Sequence, residues 1–309
     1  MTTRRRFLAL TAAALAAPGL PLAAAAPVRW RGLALGAPAS IEIRGAPGPA
    51  EAALRDVVGE LRRLERALSL YEPGSALSRL NREGELPEDA AGLEDVLALL
   101  HASLRYEVGS SGLFTPFVQP LWRALAEGRT LRDPGWTVQF SYARVGRGLR
   151  LDAGKALTFN GMAQGHVADR LTERLAAHGF GRVLVDTGEI RAAGGPWRVG
   201  LEDPSIGRHG WLTLEGSAVA TSSPGAMRLA DGGPHIVAPG GPRRLAWSSV
   251  TVEAPTARHA DACSTALAMT RDRGEAEAMA HRLGDIRRVV LVDIAGDVST
   301  IRGTAVPPA

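Results

Sequence analysis

Glycine and proline interrupt this chain at short intervals, and that pattern limits the folds it can adopt. The 309 residues include 36 glycines and 20 prolines. Such a composition indicates many tight turns and is typical of a mixed fold with short strands. The hydrophobic content of 45% is enough for a substantial core. The clearest regular element is residues 50–68, where leucine and valine recur at spacings of three and four, which predicts an amphipathic helix.

The other regular elements are predicted from periodicity and from the turn residues that bound them. Helices are expected at residues 93–108, from His166 to a stop at Gly179, and at 274–283, and strands at 28–44 (as a hairpin), 182–186, 288–294 and 298–301. Residues 197–201 are expected to form the hairpin partner of the strand at Ile190, and residues 211–221 to form one further strand.

The first 26 residues have the layout of an export signal. Three adjacent arginines at residues 4–6 precede an apolar run that Pro18 and Pro21 interrupt, and an alanine-rich segment follows. The segment resembles a twin-arginine signal, and the alternative, an ordinary secretory signal with an extra arginine, leads to the same compartment. We therefore expect a periplasmic protein with a mature domain at residues 27–309 and no membrane span after signal removal.

Charge and cysteine content narrow the possible partners. The formal net charge of +4 falls to +1 without the three arginines of the export segment, which contains no acidic residue. Lys155 is the only lysine, and no basic run interleaved with aromatic residues is present, so nucleic acid is not an expected partner. Cys263 is the sole cysteine, which excludes an internal disulfide, and it is most simply interpreted as a small buried residue.

Residues 260–269, which read ADACSTALAM, carry the first candidate site. Asp261 and Thr265 are four residues apart, so a helix would place a carboxylate and a hydroxyl on one face. Two hard oxygen donors suit a magnesium-sized cation that also binds a phosphate. Alternatively, Asp261 caps the helix and Thr265 bonds back to a carbonyl oxygen, and these residues alone favour that alternative.

Two loops carry polar groups or aromatic residues suited to a ligand. Residues 69–81 (SLYEPGSALSRLN) contain Tyr71, Ser78 and Asn81 and form either a binding loop or a solvated turn with a short helix from Ser75. Residues 110–122 contain two prolines and three aromatic residues and read as neither helix nor strand. They either line an apolar pocket or pack as a buried loop.

Two further positions suit phosphate chemistry. Gly161, Ala163 and Gly165 form a glycine-flanked turn that leads into a helix, and the exposed amides of a helix N-terminus suit phosphate. The spacing fits neither a Rossmann nor a P-loop pattern. His235 lies between glycine-rich turns, where it is either a surface or core group or, beside a metal and phosphate site, a base.

Seven segments, taken in order, carry a resemblance to a known family. They are SLYEPGSALSRLN, GLFTPFVQPLW, NGMAQGHVAD, DTGEIRAAG, AVATSS, HIVAPGG and SVTVEAPTARHADACSTAL, and they are distributed over residues 69–267. Each resembles a motif of the ApbE family, the FAD:protein FMN transferases, and all occur in the family's order. The resemblance implies a single compact α+β unit with the flavin in a cleft between the central sheet and the early loops.

The resemblance also implies an activity. A member of this family would be an exported, magnesium-dependent enzyme that cleaves the FAD pyrophosphate, passes FMN to a threonine or serine hydroxyl of an acceptor protein and releases AMP. The implied cofactors are Mg²⁺ and, as substrate, FAD. The implied acceptor is a membrane-associated redox subunit with a periplasmic threonine or serine.

Carried over motif by motif, the resemblance assigns roles to residues of this chain. The metal ligands fall on Asp261, Thr265 and the backbone carbonyl of Ala163, and Asp261 and His235 are the implied catalytic residues, His235 receiving the proton of the acceptor hydroxyl. The remaining assignments are FAD-binding positions: Tyr71, Ser78, Asn81, Thr115, Gln164, Gly188 and Glu189.

The chain departs from the family's motifs at several positions. Thr115 stands where an acidic residue is expected, Phe117 where a threonine is expected, and Gln164 where a lysine is expected, so Gln164 can hydrogen-bond but brings no charge to a phosphate. Pro224 and Gly225 replace the usual aromatic region. These departures leave two alternatives open: a periplasmic FAD-binding or delivery protein with weak or no transfer, and an FAD pyrophosphatase that yields FMN and AMP.

Overall fold

The computed structural model describes residues 26–129, 142–239 and 244–303, so the predicted export signal lies outside the described residues apart from Ala26. Seven α-helices lie in these ranges. In chain order, α1 to α7 are Pro47–Leu68, Ala76–Glu83, Leu93–Gly109, Gln119–Ala126, Ala163–Ala177, Ala257–Leu267 and Arg273–Leu283, and a 3₁₀ turn at Pro116–Val118 precedes α4. No helix in the described part of the chain has both the length and the apolar character that a bilayer span requires.

Thirteen strands lie in the same ranges. In chain order, β1 to β13 are Val28–Ala34, Ala37–Ile43, Glu85–Leu86, Tyr142–Val145, Gly148–Leu151, Val183–Asp186, Ile190–Ala193, Trp197–Asp203, Gly207–Leu214, Ala218–Ser222, Trp247–Ala254, Arg288–Asp293 and Val298–Arg302. Eight of them form an antiparallel sheet in the order β1, β2, β6, β7, β10, β11, β12, β13, while β3, β5 and β4 form a small sheet and β8 and β9 a hairpin. This antiparallel sheet with separate helices confirms the predicted α+β class.

The central sheet is covered on both faces. Helices α5 and α6 pack on one face, and α1 packs on α5. Val183 and Val185 of β6 enter the core on the helical side, whereas Leu184 enters a second core beneath the β8–β9 hairpin. Because successive side chains of a strand point to opposite faces and both faces are covered, the first three residues of β6 are all apolar rather than alternating with polar ones, and only the last, Asp186, is charged.

The predicted helices are confirmed within one or a few residues of their expected ends. In α1 the predicted leucine and valine positions are mostly buried, and a proline occupies the first turn, where its missing N–H is not needed. Helix α5 begins three residues before the expected start, and Gly179 follows its end with a positive φ of 85°. That conformation favours glycine and ends the helix as predicted.

Three predictions of local structure are wrong. Residues 110–122 are not irregular throughout, because Pro116 begins the 3₁₀ turn and Pro120 is the second residue of α4, and proline is tolerated in the first turn of a helix. Strand β8 pairs with β9 and not with β7, which lies between β6 and β10. Residues 211–221 form parts of two strands, since a turn at Gly216, with φ of 57°, separates β9 from β10.

Candidate functional site

A cleft of about 870 Å³ lies beside the central sheet. The β1–β2 pair, the first turn of α5, helix α6, the β8–β9 turn and the loop after β10 all contribute to its wall. Nine of the residues predicted from sequence line it: Tyr71, Thr115, Ala163, Gln164, Gly188, Glu189, His235, Asp261 and Thr265. Residues almost two hundred positions apart in sequence therefore face one space.

Ser78 and Asn81 lie outside this cleft. They line a smaller neighbouring cavity that shares Tyr71 and Gln119 with it. Ser78 Oγ donates to the carbonyl of Ser69, and the Asn81 amide donates to and accepts from the backbone of Leu157 at 2.8 and 2.7 Å. Their direct contacts therefore hold the loop that carries Tyr71, and contact with a flavin stays a prediction.

Asp261 does not cap α6, so that alternative is wrong. The N-cap is Thr256, whose Oγ1 accepts from the N–H of His259, and Asp261 lies one turn further into the helix. Thr265 follows one turn later, with its Oγ1 3.3 Å from Ser222 Oγ. Both side chains face the cleft, as the four-residue spacing predicts.

Helices α5 and α6 meet with almost no side chain between them. A Cβ on Gly165 would lie 2.3 Å from the carbonyl oxygen of Ala257, so only glycine permits this approach. The Gly165 N–H donates to Asp261 Oδ2 at 3.1 Å. The junction therefore places Ala163, the first residue of α5, beside the carboxylate and hydroxyl of α6.

The oxygen donors of Asp261, Thr265 and Ala163 fit a magnesium-sized cation. Burial raises the pKa of Asp261 to about 7, so its ionised form needs a compensating positive charge. A Cβ on Gly161 would lie 2.9 Å from Thr265 Cγ2, and its absence leaves room in front of the threonine. Within the described ranges, no group of three or more His, Cys, Asp and Glu side chains is arranged for a metal, so phosphate and water would have to complete the shell.

Two further carboxyl groups share the floor of the cleft. Glu189 is buried, its Oε2 accepts from the Thr221 N–H at 3.2 Å, and burial together with Asp261 raises its pKa well above the usual range. Asp186, which sequence reasoning missed, accepts from the Gly188 N–H at 3.0 Å, and burial raises its pKa to about 6. Its position as the last residue of a buried strand is the signal that could have found it.

Gly188 and Gln164 fit together closely. Gly188 has a φ of 100°, and a Cβ there would lie 2.4 Å from Gln164 Nε2. Both the backbone angle and the contact therefore require glycine. The backbone carbonyl of Gln164 accepts from Thr187 Oγ1 at 2.8 Å, so the turn after β6 is attached to the first turn of α5.

His235 is presented by a loop whose position is fixed by backbone contacts. Its Nδ1 lies 3.1 Å from the carbonyl of Pro224, and Trp122 Nε1 donates to the His235 carbonyl at 2.9 Å. Because a carbonyl only accepts, Nδ1 carries the proton and Nε2 keeps its lone pair. Burial lowers the pKa of His235, which keeps the imidazole neutral and able to accept a proton.

Thr115 and Tyr71 complete the predicted set at the cleft. Thr115 is buried, and its Oγ1 accepts from the Phe117 N–H as the cap of the 3₁₀ turn. Tyr71 is partly exposed, and its hydroxyl lies 3.4 Å from Asn160 Nδ2. Thr115 thus stabilises its own loop, while the phenol of Tyr71 lies at the side shared with the smaller cavity.

The fold and the cleft define an α+β protein with a large cleft, which combines apolar walls with a cluster of hard oxygen donors. The chain belongs to the ApbE family, since the family model matches residues 35–290. A curated relative from Treponema pallidum (strain Nichols), an FAD:protein FMN transferase, is 27% identical over 256 residues, covering 70% of each chain.

Solved structures of the family share the fold. The apo flavinyl transferase ApbE of Pseudomonas stutzeri superposes with a TM-score of 0.75 at 24% identity, covering 90% of this chain and 95% of that one. The ApbE protein of Thermotoga maritima gives a TM-score of 0.76 at 21% identity, covering 90% and 97%. The flavin transferase ApbE of Vibrio cholerae gives 0.71 at 22% identity, covering 90% and 97%.

Proposed function

We propose that this protein is an FAD:protein FMN transferase, which cleaves FAD, attaches FMN through a phosphoester to a threonine or serine of an acceptor protein and releases AMP. Membership of the ApbE family and the activity named for the Treponema relative support the reaction class. The observation that carries the proposal is the convergence of Asp261, Thr265, Ala163 and His235 on one large cleft.

Mg²⁺ is proposed as the metal, held by the Asp261 carboxylate, the Thr265 hydroxyl and the carbonyl of Ala163. When bound, it would polarise the diphosphate and neutralise the charge that develops on the departing AMP. The protein supplies the positions of these donors through the α5–α6 junction. Asp261 is the only charged group among them, so the binding of the cation depends on its ionisation.

His235 is proposed to accept the proton of the acceptor hydroxyl. The hydroxyl oxygen forms a bond to the phosphorus of the FMN half, the bond between that phosphorus and the AMP oxygen breaks, and the proton moves to His235 Nε2. The neutral imidazole and the fixed Nδ1 proton support this role. Glu189 and Asp186 lie on the same floor and repel phosphate unless they are protonated or balanced by a cation.

The proposed location is the periplasm, reached through a twin-arginine signal at residues 1–26. The proposed acceptor is accordingly a membrane-associated redox subunit with a periplasmic threonine or serine. Replacing Arg4 and Arg5 by lysine is expected to leave the full-length chain in the cytoplasm, measured by fractionation of the producing cells. Unchanged export would contradict the twin-arginine route but not the enzymatic proposal.

Two other functions stay as candidates because Thr115 and Gln164 depart from the family's motifs. A delivery protein would bind FAD without cleaving it, and a pyrophosphatase would release free FMN and AMP. One assay separates all three. The mature protein is incubated with FAD, Mg²⁺ and an acceptor domain, and AMP, free FMN and acceptor mass are followed together.

Transfer requires AMP together with an acceptor heavier by FMN, whereas free FMN alone indicates hydrolysis. Asp261→Asn is expected to reduce AMP release by at least about a hundredfold, because it removes the only charge of the metal site. Asp89→Asn, at an exposed position far from the cleft lining, is the matched control and should retain full activity. Unaltered AMP release by Asp261→Asn would show that the metal site is misplaced.

A further inference from the structure

The charges on the cleft wall are unequal. Five acidic residues line it, namely Asp186, Glu189, Glu202, Asp203 and Asp261, whereas Arg31 is the only arginine or lysine among its described lining residues. A ligand that carries phosphate is repelled by such a wall except where a positive charge faces it. Apart from a bound cation, Arg31 is the group of the described lining that can attract it.

Strand pairing places Arg31 in a row that crosses the sheet. Arg31 of β1 pairs with Ser40 of β2, and Ser40 pairs with Asp186 of β6. Directly paired residues of neighbouring strands present their side chains on the same face. All three line the cleft, so the row runs from the exposed Arg31 at the edge strand, past the Ser40 hydroxyl, to the half-buried Asp186.

Arg31 is available to a ligand, in contrast to the arginine two residues before it. Arg29 lies opposite Glu42, and its Nε donates to Glu42 Oε2 at 2.9 Å. Arg31 instead lies opposite Ser40. The ion pairs of this part of the sheet are formed by Arg29 and Arg44 with Glu42, and Arg31 forms none in the described ranges. An arginine without a carboxylate partner, at the mouth of an acidic cleft, is suited to bind an anion from solution.

We propose that Arg31 binds a phosphate of the dinucleotide, with the Ser40 hydroxyl as a neighbouring donor. The planar guanidinium can form two parallel hydrogen bonds to phosphate oxygens. Asp186, at the other end of the row, repels phosphate. The phosphate is therefore held beside Arg31, and this fixes the orientation of the dinucleotide in the cleft. This assignment rests on the proposed function only for the identity of the ligand.

The test compares Arg31→Ala, Arg31→Lys and the control Arg29→Ala in the mature protein. Binding of FAD, FMN and riboflavin is measured by flavin fluorescence in EDTA at low and high salt, and AMP is measured by calorimetry. Arg31→Ala is expected to weaken the binding of FAD about five- to tenfold at low salt and less at high salt. The affinity for riboflavin, which has no phosphate, should be unchanged. Arg31→Lys should recover part of the loss, and Arg29→Ala should bind like the wild type.

The fragments identify which phosphate is bound. If Arg31→Ala loses affinity for AMP but not for FMN, Arg31 binds the AMP phosphate. If it loses affinity for FMN but not for AMP, Arg31 binds the FMN phosphate. The proposal would be overturned if Arg31→Ala lost as much affinity for riboflavin as for FAD, or if it lost no affinity for FAD, FMN or AMP. Failure of the wild type to bind FAD would count against the proposed function instead, and the AMP and FMN titrations would still decide the role of Arg31.

Discussion

Three carboxyl groups at the floor of the cleft are kept in surroundings that disfavour their charge. Burial raises the pKa of Asp186 to about 6 and that of Asp261 to about 7, and Glu189 is shifted upward as well. Ionised carboxylates in such positions destabilise a ligand-free protein. Groups with strongly shifted pKa values concentrate at functional sites, which agrees with a cleft built to receive a cation.

Asp186→Asn is expected to stabilise the ligand-free protein at pH 8 by up to about 3 kcal/mol. The folded-state pKa of about 6 lies above the ordinary value of 3.8, so the unfolded chain ionises first and stability falls as the pH rises from 4 to 6. Asparagine keeps the oxygen that accepts from Gly188 but never ionises. Urea unfolding in EDTA at several pH values measures the difference.

Below about pH 4, ionisation of Asp186 should therefore make no difference between the free energies of unfolding of wild type and Asp186→Asn. Above that pH the wild type should become progressively less stable than the variant. Asp89→Asn, at an exposed position, should show no comparable divergence. If Asp186→Asn were more stable than the wild type by the same amount at pH 4 and at pH 8, the carboxylate charge would not be the cause of the added stability.

Sequence motifs predicted nine of the residues that line the cleft and missed others. Asp261, Thr265 and His235 stand out because small residues and turns surround unusual polar groups. Arg31 and Asp186 do not stand out, because their common row exists only through the register of three strands. Register depends on which strands pair, and local sequence does not reveal strand pairing over long separations.

At the scale of elements, one contact sets the relation between the two helices of the site. Asp169 of α5 accepts from the N–H groups of Ala257 and Arg258 at 2.8 and 2.9 Å, so it satisfies two free amides at the start of α6. Arg191 Nε lies 3.3 Å from the same carboxylate. Together with the close approach at Gly165, this contact holds Ala163 and Asp261 in register.

Asp169→Asn is expected to lower metal affinity about five- to tenfold, because an amide has one acceptor oxygen in place of two and α6 loses part of its attachment. The measurement is binding of Mn²⁺, as a spectroscopic substitute for Mg²⁺, by electron paramagnetic resonance. Activity should fall mainly through a higher Mg²⁺ requirement, with a smaller change at saturating metal.

Glu173→Gln is the matched control for this prediction, because Glu173 lies one turn further along α5 and is exposed. It should bind Mn²⁺ like the wild type. If Asp169→Asn were destabilised in urea but retained wild-type Mn²⁺ affinity, its carboxylate would be structural only and would not position the site.

The elements themselves were predictable where a single periodicity governs them. Helices α1, α3 and α7 follow from apolar spacing alone. Helix α4 did not, because Pro120 lies in its first turn and two prolines suggest irregular structure unless their position in the helix is known. The partner of β8 was misassigned because β8 has a neighbouring strand on each side in sequence, β7 and β9, and local sequence does not show with which of them it pairs.

At the scale of the whole molecule, the central sheet joins two cores, and the cleft depends on both. The helical core positions α5 and α6 on one face. The second core, on the other face, lies beneath the β8–β9 hairpin. The closed end of this hairpin forms part of the cleft wall through Glu202 and Asp203 of β8, Pro204 of the turn and Gly207 of β9. The hairpin can therefore affect ligand binding without contributing to the metal site.

Trp197 is the largest side chain of the second core and tests this dependence. It is 2% exposed, and its Nε1 donates to the Ala193 carbonyl at 3.1 Å. Trp197→Ala is expected to destabilise the protein by about 3–5 kcal/mol, because it leaves a cavity under the hairpin. FAD affinity should fall as well, since Trp197 and Leu214 pair at the open end of the hairpin whose other end lines the cleft, and the whole hairpin is then packed less firmly on the sheet. Urea unfolding and flavin fluorescence measure the two effects.

Trp211 on the same hairpin is the matched control. It is half-buried and lies on the outer surface, where the guanidinium groups of Arg198 and Arg208 stack on its ring at 4.2 and 4.9 Å. Trp211→Ala should cost about 1 kcal/mol or less and leave FAD affinity unchanged. Trp197→Phe is the milder variant if alanine proves too disruptive for folding. It should lower the affinity for FAD in proportion to its smaller loss of stability. Loss of stability in both Trp197 variants with wild-type FAD affinity would show that the hairpin covers the sheet without shaping the cleft.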